Sequence, residues 1–262
     1  MKAKELALSL LFLILAGSCA HTSTDKDRAS ARIRYDIAMQ YFSQNDLRAT
    51  LRELLATVEL DPELPQAQHA LGLVYFSMGR YDEALAHYNR AVELKPNFSE
   101  ALNNRGIVYI ELGRYDEAIA SFKLALSDIL YAEPHTAEAN MGWAYFKKQD
   151  IDQALKHLRN AVATNPKFCL GYSWLAQVEL ARGEGGQAVA YCRRFEKQCL
   201  DDENVRAKVP PGFVQEMKYY LGRAYQATGD VIGARDAFTA CAKSGLDNDL
   251  GTRCDRSLTE LQ

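Results

Sequence analysis

The most reactive side chains in this chain are its six cysteines. Cys19 stands alone near the start, behind the small residues Ala16, Gly17 and Ser18, whereas Cys169, Cys192, Cys199, Cys241 and Cys254 all lie in the C-terminal part. This placement suits modification of the first thiol and disulfide formation among the rest, since no paired metal-ligand spacing occurs. His21, His69, His87, His135 and His157 are scattered. Gly183-Glu184-Gly185-Gly186 is glycine-rich but lacks the following Lys and Ser/Thr of a phosphate-cradling loop, and it reads as a turn. No dinucleotide fingerprint is found either. The chain is therefore expected to be no enzyme and to use no metal, cofactor or small-molecule substrate. Its formal net charge of −3 gives no pull on phosphate backbones, which argues against nucleic acid as a partner.

The surroundings of Cys19 say what its thiol is for. Met1, Lys2 and Lys4 precede an apolar run from Leu6 to Leu15, about half of the roughly 20 residues that cross a bilayer as a helix. A basic start, a short apolar core and small residues before a cleavage point make residues 1–18 a secretory signal. Ala16-Gly17-Ser18-Cys19 resembles the bacterial lipobox, after which the signal is cut and the cysteine sulfur carries a diacylglycerol. The commonest residue three before that cysteine is leucine, and here it is Ala16. Residues 20–30 are polar and suit a flexible tether between lipid and domain. Ala20 follows Cys19 in place of the aspartate that retains lipoproteins in the inner membrane of enteric bacteria. The expected location is the outer membrane, lipid-anchored and facing the periplasm.

The elements that position the remaining residues show as an internal repeat. Ala38, Gly72, Gly106, Gly142, Ala176 and Gly222 are spaced 34, 34, 36, 34 and 46 apart. With that small residue as position 8, position 11 holds Tyr41, Tyr75, Tyr109, Tyr145 and Tyr225, and position 20 holds Ala84, Ala118, Ala154, Ala188 and Ala234. Pro62, Pro96 and Pro166 fall at position 32. A helical glycine costs about 1 kcal/mol relative to alanine, so four at one phase need a packing reason. They mark where two helices of a hairpin cross most closely. The pattern resembles the tetratricopeptide repeat, whose period is about 34 residues. That resemblance implies an all-α solenoid of about six helix-turn-helix repeats over residues 31–246, in a right-handed superhelix. A loop ending in Pro210-Pro211 separates the fifth repeat from the sixth, and the fifth carries Glu179 at position 11. Leu250, Cys254, Leu258 and Leu261 recur at helical spacing, so residues 247–262 are expected to form a capping helix over the last repeat.

In this repeat family the first helix of each hairpin lines a concave groove, with positions 5, 9 and 12 among those facing it. In the first four repeats positions 9 and 12 read Met39 and Phe42, Leu73 and Phe76, Ile107 and Ile110, Trp143 and Phe146, all apolar. Tyr35, His69 and Asn103 at position 5 add hydrogen-bonding groups. A continuous apolar stripe marks a binding surface for an apolar or amphipathic peptide. A cationic clamp on a carboxylate would want Lys, Asn and Lys at positions 5, 9 and 13 of the first repeat, where Tyr35, Met39 and Ser43 stand. Repeats behind a lipidated cysteine with such a groove resemble the pilotin lipoproteins of type IV pili. The resemblance implies a partner, the secretin subunits, and a role in their delivery to the outer membrane and ring assembly. An envelope adaptor that scaffolds cell-wall enzymes is the alternative.

The repeat frame also pairs the cysteines. Positions 1 and 31 lie at one end of an antiparallel hairpin, which brings Cys169 towards Cys199. Cys241 and Cys254 sit on successive antiparallel helices, leaving Cys192, at core position 24, as the free thiol. Replacing Cys19 should abolish labelling of the protein by radioactive palmitate. Equal incorporation by a Cys19→Ala variant rules out lipidation at that residue.

Overall fold

A computed structural model describes residues 23–244 and 249–261. The signal segment, Cys19 and Ala20 lie outside the described residues, as do residues 245–248. Fourteen α-helices make up the described structure: α1 (Asp25–Ser43), α2 (Leu47–Leu60), α3 (Pro65–Ser77), α4 (Tyr81–Leu94), α5 (Ser99–Glu111), α6 (Tyr115–Leu126), α7 (Pro134–Lys147), α8 (Ile151–Thr164), α9 (Cys169–Arg182), α10 (Gly185–Phe195), the short α11 (Glu203–Arg206), α12 (Pro211–Thr228), α13 (Val231–Ala242) and α14 (Asp249–Glu260). Six hairpins follow one another: α1/α2, α3/α4, α5/α6, α7/α8, α9/α10 and α12/α13, with α14 packed on α13 and α12. The second helix of each hairpin packs on the first helix of the next. From the second hairpin onward, first helices also touch one another, which makes their outer surfaces one continuous face.

Position 8 explains the hairpin. A methyl group built on Gly72 would sit 2.5 Å from the Tyr88 ring, and one on Gly222 would sit 2.5 Å from the Phe238 ring. Gly106 meets Phe122 in the same way, and Gly142 meets Leu158. Where position 8 is alanine, position 24 carries no ring: it is Leu54 in the first hairpin and Cys192 in the fifth. Rings at position 24 thus occur only against glycine, as a close-packed interior requires.

The turns repeat as well. Position 15 is left-handed in all six hairpins, at Asn45, Gly79, Gly113, Gln149, Gly183 and Gly229. This geometry sends the next backbone N–H back to the carbonyl of position 11, as in Arg80 N to Tyr75 O at 2.9 Å and Glu184 N to Glu179 O at 2.9 Å. Gln149, with φ 66°, adopts it without the freedom of glycine. Pro62, Pro96 and Pro166 each lie two residues beyond a helix end, where no further helical N–H is required.

Three expectations need correction. The tether does not extend to residue 30, because α1 starts at Asp25. The Thr24 side chain accepts from Asp27 N while the Asp27 carboxylate accepts from Thr24 N, a capping box that starts the helix within the polar stretch. The segment before Pro210-Pro211 is not a bare loop: Glu196–Leu200 forms a π-helical turn, and α11 follows it with Asp202 as N-cap. The sixth hairpin starts at Pro211, in the favoured first position of α12, so that this proline belongs to the helix and not to the loop. Glu179, in the place of a tyrosine, is fully buried. Arg159 Nη2 donates to its Oε1 at 2.9 Å, and Arg182 Nη2 lies 2.8 Å from its Oε2.

Alanine improves intrinsic helix propensity by about 1 kcal/mol over glycine, yet overpacking a filled core costs about 1–3 kcal/mol. Because the Phe238 ring is fully buried, the second effect should win. Gly222→Ala is expected to lower the melting temperature followed by circular dichroism. Adding Phe238→Leu should cost less in the Gly222→Ala background than alone.

Candidate peptide-binding groove

The eight side chains at positions 9 and 12 of the first four repeats share one condition. Met39, Phe42, Leu73, Phe76, Ile107, Ile110, Trp143 and Phe146 are all partly exposed, none buried and none fully open. Met39, Phe42, Leu73 and Phe76 lean on the core of the first two hairpins, Ile107 and Ile110 on that of the third and fourth, and Phe146 on the next. These seven therefore anchor one side in the core and leave another towards solvent, while Trp143 leans on neighbouring aromatic rings. Trp143 sits 5.2 Å from the Phe146 ring, and Lys147 Nζ lies 5.0 Å from the Trp143 ring centroid. The result is a line of apolar faces across the first helices of four hairpins.

The polar residues at position 5 behave differently. Tyr35 is half-buried, and its phenol is raised above the usual range by burial and by the neighbouring Asp36. His69 is wedged 4.9 Å from the Phe98 ring and 5.7 Å from the Tyr88 ring, and burial lowers its pKa to about 4, so it stays neutral near pH 7. Its Nε2 pairs with Asn104 Nδ2 at 2.9 Å. Asn103 is buried, and its Oδ1 accepts from Asn140 Nδ2 at 3.0 Å. His69 and Asn103 thus serve a chain of hydrogen bonds linking the second, third and fourth hairpins, and are not free groups in the groove. The other described histidines are structural too. His87 and His157 stack on Tyr75 and Tyr145 of their own hairpins, and His135 pairs with Asn165. Among the described residues, His, Cys, Asp and Glu gather nowhere in threes that could hold a metal.

Sequence reasoning missed part of this surface. Trp174, at position 6 of the fifth repeat, stacks on Trp143 at 5.1 Å and 17°, extending the aromatic surface onto α9. The signal was present, since these are the only two tryptophans in the chain. Beyond Trp174 the face becomes polar. Gln177 and Arg223, which interrupt the apolar stripe, line a cavity of about 310 Å³ with Phe146, Leu180, Tyr219 and Arg253.

The cysteine pairs expected from the repeat frame come together. Cys169, at the start of α9, and Cys199, in the π-helical turn after α10, have Cα atoms 6.0 Å apart and sulfurs 2.16 Å apart. Cys241 of α13 and Cys254 of α14 have Cα atoms 6.1 Å apart and sulfurs 1.95 Å apart. Both are at disulfide distance. Cys192 is free and buried, and burial pushes its thiol up to about 12, which makes it inert.

A TPR repeat family model matches residues 72–113, and two tetratricopeptide repeat models match residues 97–167 and 140–202. Together with six hairpins closed by a terminal helix, these matches define the chain as a tetratricopeptide-repeat protein, a fold that typically serves as a scaffold for protein interactions. Among solved structures it is similar to PilW, described as a widely conserved type IV pilus biogenesis factor: identity is 22%, the TM-score is 0.76, and the match covers 86% of this chain and 97% of PilW. It is also similar to PilF of Pseudomonas aeruginosa, with 19% identity, a TM-score of 0.70 and coverage of 87% and 98%. A MamA protein matches at 20% identity and a TM-score of 0.56 over 69% of this chain and 98% of its own. At these identities the likeness is one of fold. A comparison with curated protein sequences returns no match.

Exported protein carrying Cys19→Ala, unfolded without reductant, should titrate with one thiol, that of Cys192. Two or more free thiols contradict the two-bridge arrangement.

Proposed function

We propose that this protein is a lipid-anchored outer-membrane tetratricopeptide protein that binds secretin subunits and promotes their assembly into multimers during type IV pilus biogenesis. The observation that carries this reading is the row of half-exposed apolar side chains from Met39 to Phe146, supported by the shared fold with PilW and PilF. A secretin monomer in the periplasm exposes strand edges and lipid-facing side chains that aggregate unless covered. An apolar trough covers them. An acyl anchor on Cys19 would hold the complex at the membrane and raise the local concentration of subunits where the ring forms. Both parts are then needed, and neither requires a catalytic residue.

Truncating an aromatic hot spot commonly costs about 2 kcal/mol or more of binding free energy, roughly thirtyfold in affinity. A charge in its place should do at least as much. Phe76→Glu or Trp143→Glu is expected to abolish heat-resistant secretin multimers in cells while the helical circular dichroism signal is retained. Normal multimers in cells that carry such a folded variant would remove the groove from the mechanism.

A further inference from the structure

The apolar row ends at a pocket of different chemistry. The cavity of about 310 Å³ is lined by Phe146, Leu180 and Tyr220 together with Tyr219, Arg223 and Arg253. The first five of these come from α7, α9 and α12, the first helices of the fourth, fifth and sixth hairpins, while Arg253 is brought in by the terminal helix α14. The apolar row therefore runs into a cationic pocket that has Arg253 of α14 in its lining.

The two guanidiniums are held by a single oxygen. Tyr219 is buried to 6% exposure, and its hydroxyl accepts from Arg253 Nη2 at 3.0 Å and from Arg223 Nη1 at 3.3 Å. Arg253 also lies over the Tyr219 ring, 4.5 Å from its centroid. Burial alone would raise the Tyr219 phenol, but the hydrogen bonds from Arg223 and Arg253 outweigh it and hold the group below its usual range. Each guanidinium has five N–H donors, of which this tether occupies one. Among the described residues no carboxylate stands within ion-pair distance of Arg223 or Arg253. Asp249, one turn back on α14, and Glu216 act on Arg253 only through space. Glu216 is itself engaged by Tyr220 and Ser173. Two converging guanidiniums with no carboxylate in direct contact, beside an apolar slot, fit a planar carboxylate better than any neutral group.

We propose that this pocket seats the free C-terminal carboxylate of a polypeptide lying in the groove, with its last side chain, an apolar one, against Phe146 and Leu180. A chain end fits better than an acidic side chain within a longer segment, because the apolar row that would hold a continuing chain stops here, with Gln177 and Arg223 in its place in the fifth and sixth hairpins. An apolar wall beside the cationic pair suits a residue that presents both an apolar side chain and its own carboxylate. The inference rests on the groove reading above and adds the direction in which the bound chain runs.

The probe is a fluorescein-labelled dodecapeptide of alternating serine and leucine that ends in leucine, about 40 Å when extended. It is made as the free acid, as the C-terminal amide, and as the amide with a glutamate in place of the penultimate serine. Anisotropy titrations of the full mature chain are expected to give at least tenfold tighter binding for the free acid than for either amide. Arg223→Gln combined with Arg253→Gln should erase that difference and leave the amide affinity unchanged, whereas Trp143→Glu should weaken acid and amide alike. Equal binding of acid and simple amide, both lost in Trp143→Glu, overturns the carboxylate seat and leaves the groove standing. A glutamate-containing amide that matches the free acid overturns the assignment to a chain end. Absence of binding by all three probes overturns the seat together with the groove reading.

Discussion

The close crossing of two helices within each hairpin is the contact from which the rest of the structure follows. Glycine at position 8 lets the rings of Tyr88, Phe122 and Phe238 and the branched side chain of Leu158 press against backbone, where a methyl group would collide. Fixing that approach fixes how the two helices lie. Because the crossing recurs six times, successive first helices come up on the same side and present their positions 9 and 12 together. The groove is not assembled by a local motif. It is the cumulative product of one packing rule applied along the chain.

Such a surface places two demands on the same side chains. Phe42, Phe76, Ile110 and Phe146 must fill space against the core and yet keep an apolar face towards solvent. A polar substitution there affects packing as well as recognition. The position 5 groups resolve the conflict in the other direction, since His69 and Asn103 turn their polar atoms to Asn104 and Asn140 and so tie neighbouring hairpins together. Polar satisfaction within the solenoid has been preferred over free groups in the groove.

What the sequence made legible was everything periodic. The small residue at position 8, the tyrosine at 11 and the alanine at 20, with the proline at 32 in three repeats, located the hairpins, their order and the two cysteine pairs, because each answers to a requirement that recurs along the chain. What it concealed was everything that happens once. The start of α1 depends on a single capping box at Thr24 and Asp27, in a stretch whose composition resembles a tether. Glu179 stands in the fifth repeat where the others carry tyrosine, and its buried carboxylate is held by Arg159, from the preceding hairpin, and by Arg182 of its own helix. Gln149 takes a left-handed turn that its residue type does not advertise. Trp174 and Arg253 reach the candidate site from a position and an element outside the family's groove-facing set, so no rule about positions 5, 9 and 12 finds them.

The placement of the two cross-links bears on how the solenoid opens. In a linear array, each unit is stabilised only by its own fold and its neighbours, so local opening starts wherever the sum is smallest. Among the described residues both cross-links lie at or beyond Cys169, one closing the fifth hairpin and the other joining the last helix to the sixth. The first four hairpins, which carry the apolar row, have none. The apolar row thus lies in the part of the array that neither cysteine pair constrains, and the cationic end in the part that both of them do.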